Sequence, residues 1–555
     1  MTKIEKDIIN IIHKAMLKLF PDDSGNLGDN IYLEIPKEQR FGDFSTNIAM
    51  RLSRGMRRPP LDIANSVREE IIKDAVSGDI IKDIKVERPG FINFYLADKA
   101  VIEALKEIFE KGDDFGRLDF GKGKSVQIEF VSANPTGPLT VAHGRQAAIG
   151  DSLARILEFC GYKLTREYYI NDEGVQIQAL GKSVKARLME LTGEKADFPE
   201  NGYKGQYVYD IAKKIRDVKG IQNLSKIKSL SDDFFMEESC KEIMQTIIKD
   251  LEDFGVHFDV WFSQKSLARS GNIEKTLKLL KDKGFLYEKD GATWFKSTVF
   301  GDDKDRVVIK NDGSYTYVTP DMAYHKQKFD DGYDKIVNIW GPDHHGYIAR
   351  IKAACQALGY DKDVLSILIA QLVTLYRDGK LIRMSTREGE FVTLREVMDE
   401  VGKDAARFFF IMRRTESQLD FDLELAKAKT ADSPVYYIQY AHARISSVIK
   451  FSSRGKVDFK KLKLDLLDSM EEINIIKMLI QYPKIIHLSA DNLEPYILLA
   501  YLKDIARLFH SYYNAYRIVT EDNSLTEARI ALIQAVKTVL SSGLGLLGVE
   551  APEKM

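Results

Sequence analysis

Residues 132–151 read SANPTGPLTVAHGRQAAIGD (Ser132–Asp151), and a change of period inside this stretch decides the fold. Just before it, Ser125–Phe130 alternates polar and apolar, with Val126, Ile128 and Phe130 on one side, the pattern of a half-buried strand. Pro135, Gly137 and Pro138 then break regular structure and force a tight loop. From about Val141 the repeat becomes helical: Ile149, Leu153, Ile156, Leu157 and Cys160 share one face, and Gly161 ends the run. Strand, glycine-bearing turn and helix together aim backbone N–H groups and a helix dipole at a phosphate. His143 falls in the first helical turn, within reach of such a phosphate.

Working outward, the central portion, about 113–425, holds two more strand passages. Ile336–Trp340 is followed by GPDHHG (Gly341–Gly346) and a helix through Ile348, Ile351, Cys355 and Leu358. Ile367–Leu375 is an apolar run suited to a strand buried on both faces. Strands separated by helices predict an α/β, doubly wound, Rossmann-like parallel sheet. Between the first two passages, about 180–300 is mostly helical and charged, an expected helical insertion closing on the strand-like GATWFKSTVFG (Gly291–Gly301).

Residues 1–112 predict a separate α+β domain, with helices over Ile4–Phe20 and Ala64–Val76 and a short aromatic strand in PGFINFYL (Pro89–Leu96). Arg51, Arg54, Arg57 and Arg58 cluster beside Pro59–Pro60, either as a solvated helix end or as a phosphate-contacting patch. Phe91 and Phe94 serve either the core or an unpaired base. From 426 to 555 the chain is all-α, a helical bundle with apolar positions at helical spacing in Tyr436–Ile449, Leu466–Ile480, Glu494–Tyr516 and Thr526–Leu540.

Composition is that of an ordinary globular protein: 555 residues, 44% hydrophobic, 30% charged and a net charge of −2, enough for roughly three domains. The near-neutral charge speaks against a wholesale nucleic-acid coat, though local basic patches suffice to grip RNA. No run approaches a membrane span, and the amphipathic start lacks a signal core, so a cytoplasmic protein is expected. Three scattered cysteines, Cys160, Cys240 and Cys355, offer neither a disulfide framework nor a CxxC zinc pattern, so no zinc is expected.

Three distant segments converge on one nucleotide: the loop before His143, GPDHHG at a strand end, and the cation-rich loop RDGKLIRMSTREGEF (Arg377–Phe391). Together they resemble a class I aminoacyl-tRNA synthetase, and the flanking text resembles the arginyl-tRNA synthetase family. Ser132–His143 occupies the HIGH-motif region and Arg383–Leu394 the KMSKS position. YYINDEG (Tyr168–Gly174), SYTYVTPDMAYH (Ser314–His325) and IWGPDHHGY (Ile339–Tyr347) are similar to stretches of the arginyl catalytic domain. Pro434–Arg444 and Gly543–Met555 resemble the helical anticodon-binding domain. Phe41–Ala49 with Pro89–Leu96 resembles the domain that grips the tRNA elbow.

The resemblance implies activation of L-arginine by ATP with Mg2+, then transfer to the terminal adenosine of tRNA(Arg), by a monomer that supplies no metal site of its own. It assigns catalysis to Thr140, His143, Arg383, Ser385 and Arg387. ATP falls to Pro138, His143, Gly144, Gly341, Asp343, His345 and Met384. A guanidinium carries five fixed donors and demands a planar, two-pronged acceptor. The family analogy points to Asp321 and Tyr317 for the arginine side chain, places Glu129 and Asn134 at its amino-acid end or surroundings with Ser132 in the same site, and gives tRNA contacts to Asn93, Phe94, Tyr440 and Arg444. Two motifs depart from the pattern. HIGH has lost its first histidine to Thr140 and its glycine to Ala142. KMSKS has lost both lysines, to Arg383 and Thr386, so its charge must come from Arg383, Arg387 or Arg145. These losses leave an alternative, a catalytically weakened synthetase-like tRNA-binding protein.

Overall fold

The computed structural model describes residues 2–21, 31–36, 38–73, 77–221, 223–382, 391–452 and 462–555. Its centre is a five-stranded parallel sheet of β1 (Ser125–Glu129), β2 (Lys163–Ile170), β3 (Val260–Ser263), β4 (Lys335–Trp340) and β5 (Leu365–Ile369), in spatial order β5-β4-β1-β2-β3. The chain steps outward from β1 to β3, then returns to build β4 on the other side of β1. That reversal opens a crevice beyond the carboxyl ends of β1 and β4, where α/β sheets bind ligands. Helix α1 (Val141–Phe159) connects β1 to β2 and is buried along most of its length. Helix α2 (Val318–Asp330) precedes β4, and α3 (Ile348–Leu358) joins β4 to β5.

The sheet therefore has five strands where the sequence reading marks three passages. β3 falls inside 180–300, after helices Val175–Leu191, Gln206–Lys219 and Asp232–Asp253. GATWFKSTVFG supplies the middle strand, Ala292–Phe295, of a small antiparallel sheet. One expectation is corrected: Ile367–Leu375 is not a single strand. β5 ends at Ile369 because its partner β4 ends at Trp340. Gln371 then donates to the Thr415 carbonyl, and Val373–Arg377 pairs in a separate sheet with Lys380–Leu381 and Leu419–Asp422.

In the N-terminal part, a helix at Lys3–Leu19, capped by Thr2 and Glu5, lies with helix Pro60–Ile72 beside a three-stranded antiparallel sheet whose middle strand is Phe91–Leu96. Phe94 is wholly buried there, and Asn93, also buried, accepts a hydrogen bond from Ser45 Oγ at 2.6 Å. As neighbours on the strand they point to opposite faces of the sheet, and both side chains, expected to contact tRNA, are shielded from solvent here. Arg51, Arg54, Arg57 and Arg58 remain exposed, with Arg51 over the Tyr32 ring and Arg58 over Phe20.

Among the described residues the C-terminal part packs five helices, Pro434–Phe451, Met470–Leu479, Tyr482–Asp491, α4 (Tyr496–Ala515) and α5 (Asn523–Leu546). Tyr440 stacks on Tyr436, and Arg444 lies 4.5 Å from the Tyr440 ring centre and 4.7 Å from that of Tyr513, all partly exposed. Tyr512, by contrast, is buried and donates to Glu472. A fully buried guanidinium fastens this part to the sheet. Arg407, on the helix Lys403–Phe410, pairs with Asp151 of α1 and donates to the carbonyls of Phe254 and Leu547, each at 3.1 Å. Gly548 has to lack a side chain here, since a Cβ would stand 2.2 Å from Arg407 Nη2.

Candidate active site

β1 leaves the sheet through two residues with left-handed backbone, Val131 at φ 68° and Ser132 at φ 38°. A β-branched residue there is strained by about 1–3 kcal/mol, and such strain gathers at functional sites. Here it turns Glu129 and Ser132 toward one cavity of about 490 Å³ at the sheet's carboxyl ends. Ser132 Oγ donates to Glu129 Oε1 at 3.0 Å and accepts the Tyr169 N–H at 3.1 Å, fixing the bend. Downstream, Tyr168 bonds the Ala133 carbonyl and Tyr207 the Thr136 carbonyl, so the Pro135–Pro138 loop is held from both sides.

His143 also faces this cavity. Its Nδ1 accepts the Thr140 N–H at 3.1 Å and lies 3.2 Å from Thr140 Oγ1. Burial lowers its pKa to about 4, against the pull of Asp343, so the ring is neutral. With Nδ1 accepting, the proton sits on Nε2 and can be donated to an anion. Thr140 is the residue before α1, as its motif position requires, but it does not itself line the cavity. Pro138 likewise lies off the wall. Gly144 is closely packed: a Cβ would stand 2.7 Å from Leu394 and 3.0 Å from Phe410.

From β4, Gly341 and Asp343 line the same cavity. A Cβ on Gly341 would meet Asp343 Oδ1 at 2.6 Å, so a side chain there would push the Asp343 carboxylate aside. The neighbouring histidine that lines the wall is His344; the expected His345 is not on it, and both are exposed. Arg383, Met384, Ser385 and Arg387 lie outside the described residues. Just past them, Val392 accepts the Val141 N–H at 3.3 Å, and Leu394 donates to Leu139 at 2.8 Å, so that segment closes beside the start of α1. Arg145 is no source of mobile charge. It is fully buried and donates to the carbonyls of Gln371 at 2.8 Å and Arg414 at 2.9 Å.

The acidic side of the cavity comes from β1 and α2. Although burial opposes its charge, Lys328 at 2.6 Å and the Ser132 hydroxyl hold the Glu129 carboxyl below its ordinary range. Asp321 behaves in the opposite way: burial, with Glu129 adding repulsion, pushes it up to about 7 against a hydrogen bond from Tyr347. Asn134 lines the cavity and donates to Gln176 at 2.7 Å, and Tyr317, 80% exposed, stands at its mouth. Residues the sequence reading missed include Gln146, Asn171, Gln264, Trp340, His344 and Tyr347. Tyr347 and Asn171 sit inside quoted motifs, whereas Gln264, on the short step after β3, carries no local signal.

Three family models cover the chain: the arginyl tRNA synthetase N terminal domain over residues 2–96, the catalytic domain of tRNA synthetases class I (R) over 105–449, and the DALR anticodon binding domain over 438–555. An arginine–tRNA ligase of Desulfosudis oleivorans is 48% identical over 534 residues, 95% of either chain. That of Oceanobacillus iheyensis is 44% identical over 557 residues and the full length of both. Among solved structures, the Thermus thermophilus arginyl-tRNA synthetase superposes with a TM-score of 0.77 over 99% of this chain and all of the other, at 20% identity, a likeness of fold.

Proposed function

The chain belongs to the arginyl-tRNA synthetase family, and from that premise we propose how its cavity carries out the arginine–tRNA ligase reaction. The observation that carries the reading is convergence: His143, Gly341, Asp343, Glu129 and Asp321 all face one cavity at the switch point of the sheet.

In the first step a carboxylate oxygen of arginine attacks the α-phosphorus of ATP and pyrophosphate leaves, giving arginyl-adenylate. The neutral His143 donates from Nε2 to the α-phosphate region, beside the N–H groups that open α1, so negative charge on the phosphoryl oxygens meets fixed donors. The adenosine lies against Gly341, with Asp343 accepting hydrogen bonds and His344 in the place expected for His345. Glu129 and Asp321 receive the cationic end of arginine, a planar donor set that a lysine ammonium cannot match. Mg2+ travels on the ATP phosphates and supplies charge neutralisation there. Arg383, Met384, Ser385 and Arg387 close over the pyrophosphate.

In the second step a ribose hydroxyl of the terminal adenosine of tRNA(Arg), the 2′-OH in class I chemistry, attacks the arginyl carbonyl and AMP leaves. Positioning does most of this work. The tRNA runs along the helical part, where Tyr440 and Arg444 are partly exposed, and reaches the arginine cluster of the N-terminal part. The protein acts as a cytoplasmic monomer with domains of 1–112, 113–425 and 426–555. No observation favours the weakened tRNA-binding alternative.

ATP–pyrophosphate exchange with arginine, with and without tRNA(Arg), tests the reading, with lysine and citrulline as controls for charge and shape. Exchange is expected with arginine alone among the three. Absence of arginine-dependent exchange even with tRNA present overturns it.

A further inference from the structure

Behind the cavity lies a buried polar chain that the reaction as described does not use. Lys328, on the last turn of α2, is 1% exposed. Its ammonium donates to Glu129 Oε2 at 2.6 Å and to Asn338 Oδ1, on β4, at 3.0 Å, with Glu167 Oε1 at 3.8 Å. The other side of the Asn338 amide lies 2.8 Å from His325 Nε2, and His325 Nδ1 lies 2.8 Å from the Asp321 carbonyl. Asn338 Nδ2 can only donate, so His325 Nε2 accepts and its Nδ1–H donates to Asp321. One continuous path therefore runs from the Glu129 carboxylate through Lys328, Asn338 and His325 to the main-chain carbonyl of Asp321, in the turn of α2 that carries the second carboxyl of the cavity.

A buried ammonium is unfavourable unless paired and hydrogen-bonded; Lys328 is paired with Glu129 and makes two hydrogen bonds, with Glu167 at 3.8 Å and the Tyr324 ring at 4.4 Å about the rest of it. Glu129 is also saturated on its inner side. Oε2 takes Lys328 and the Tyr324 hydroxyl, Oε1 takes Ser132, and the remaining lone pair of Oε1 is left for a ligand. Three carboxyl groups, Glu129, Glu167 and Asp321, thus surround a single fixed cation. The cluster is short of positive charge, and a guanidinium provides what is missing.

We infer that Lys328 is a positioning residue for arginine: it fixes the Glu129 carboxylate directly and, through Asn338 and His325, braces the turn of α2 that carries Asp321, without touching the substrate. This rests on the reading that the cavity binds arginine.

The test is K328M in the full chain, assayed by pyrophosphate exchange with tRNA(Arg) present. A lost charge-assisted contact at Glu129 is expected to raise KM for arginine by about ten- to a hundredfold. The KM for ATP and kcat should stay within about threefold. N338D, nearly isosteric, keeps an acceptor for Lys328 but removes the donor to His325. It should raise KM for arginine by a smaller factor, and it carries the test if K328M does not fold. An arginine KM within twofold of the wild type in the folded variants, or arginine and ATP KM rising in parallel, overturns the inference. Loss of arginine-dependent exchange in the wild type would instead remove the reading beneath it.

Discussion

Replacing Asp321 by asparagine should make the protein sturdier and the enzyme poorer. Burial, reinforced by Glu129, moves the Asp321 carboxyl from 3.8 to about 7. A carboxyl raised in this way binds more protons folded than unfolded between those two values. Its ionisation therefore opposes folding increasingly as pH climbs from about 4 to about 7, and by a constant amount above that. The full rise corresponds to an upper limit of about 4 kcal/mol. Water at the cavity and the Tyr347 hydrogen bond reduce the expected effect to about 1–2 kcal/mol. Urea titrations should show D321N close to the wild type near about pH 4.5 and more stable at about pH 8. The same substitution removes half of the fork that receives the guanidinium, a loss of about 3 kcal/mol or roughly a hundredfold in KM for arginine. In the wild type that KM should climb about tenfold per unit below about pH 7, because binding needs the ionised carboxylate. D321N should lack this slope. An equal stability difference at both pH values, or an arginine KM within threefold of the wild type, refutes the reasoning.

Other substitutions separate the remaining roles. T140V removes the hydroxyl 3.2 Å from His143 Nδ1 and should slow adenylate formation about tenfold with little change in melting temperature; an unchanged single-turnover rate would dismiss it. H143A should lower kcat by about a hundred- to a thousandfold at constant arginine KM, checked by exchange kinetics. G341A should raise KM for ATP by about tenfold and leave that for arginine alone, since the new methyl displaces Asp343. R145M should destabilise by about 3 kcal/mol by stranding the Gln371 and Arg414 carbonyls, measured by denaturation, while whatever folds keeps its kcat.

The strand–loop–helix around Ser132–Asp151 is legible because period 2 gives way to period 3.6 within a few residues. β3 is not, being four residues long and paired only with β2. The run Ile367–Leu375 misleads for another reason. Apolar continuity records burial, and both β5 and the next strand are partly buried although they belong to different sheets. Glu129 and Asp321 emerge from motif resemblance, but Lys328 does not. A lysine in the last turn of a helix ordinarily answers the helix dipole in water, and only the register of β1 against β4 turns this one inward. Phe94 shows the same effect from the other direction, an aromatic in a motif that the sheet claims for its interior.

Arg407 works as a keystone shared by three masonry courses, the signature helix, the loop at Phe254 and the stretch beyond α5. Severing the polypeptide ahead of Leu547 takes away one of its acceptors, so the Arg407 Nε–H loses its partner while the Asp151 and Phe254 bonds remain. The anticodon-side helices are consequently not a detachable module. A catalytic fragment produced without them keeps the Asp151 pair but lacks one acceptor of Arg407, directly beneath the helix that carries His143.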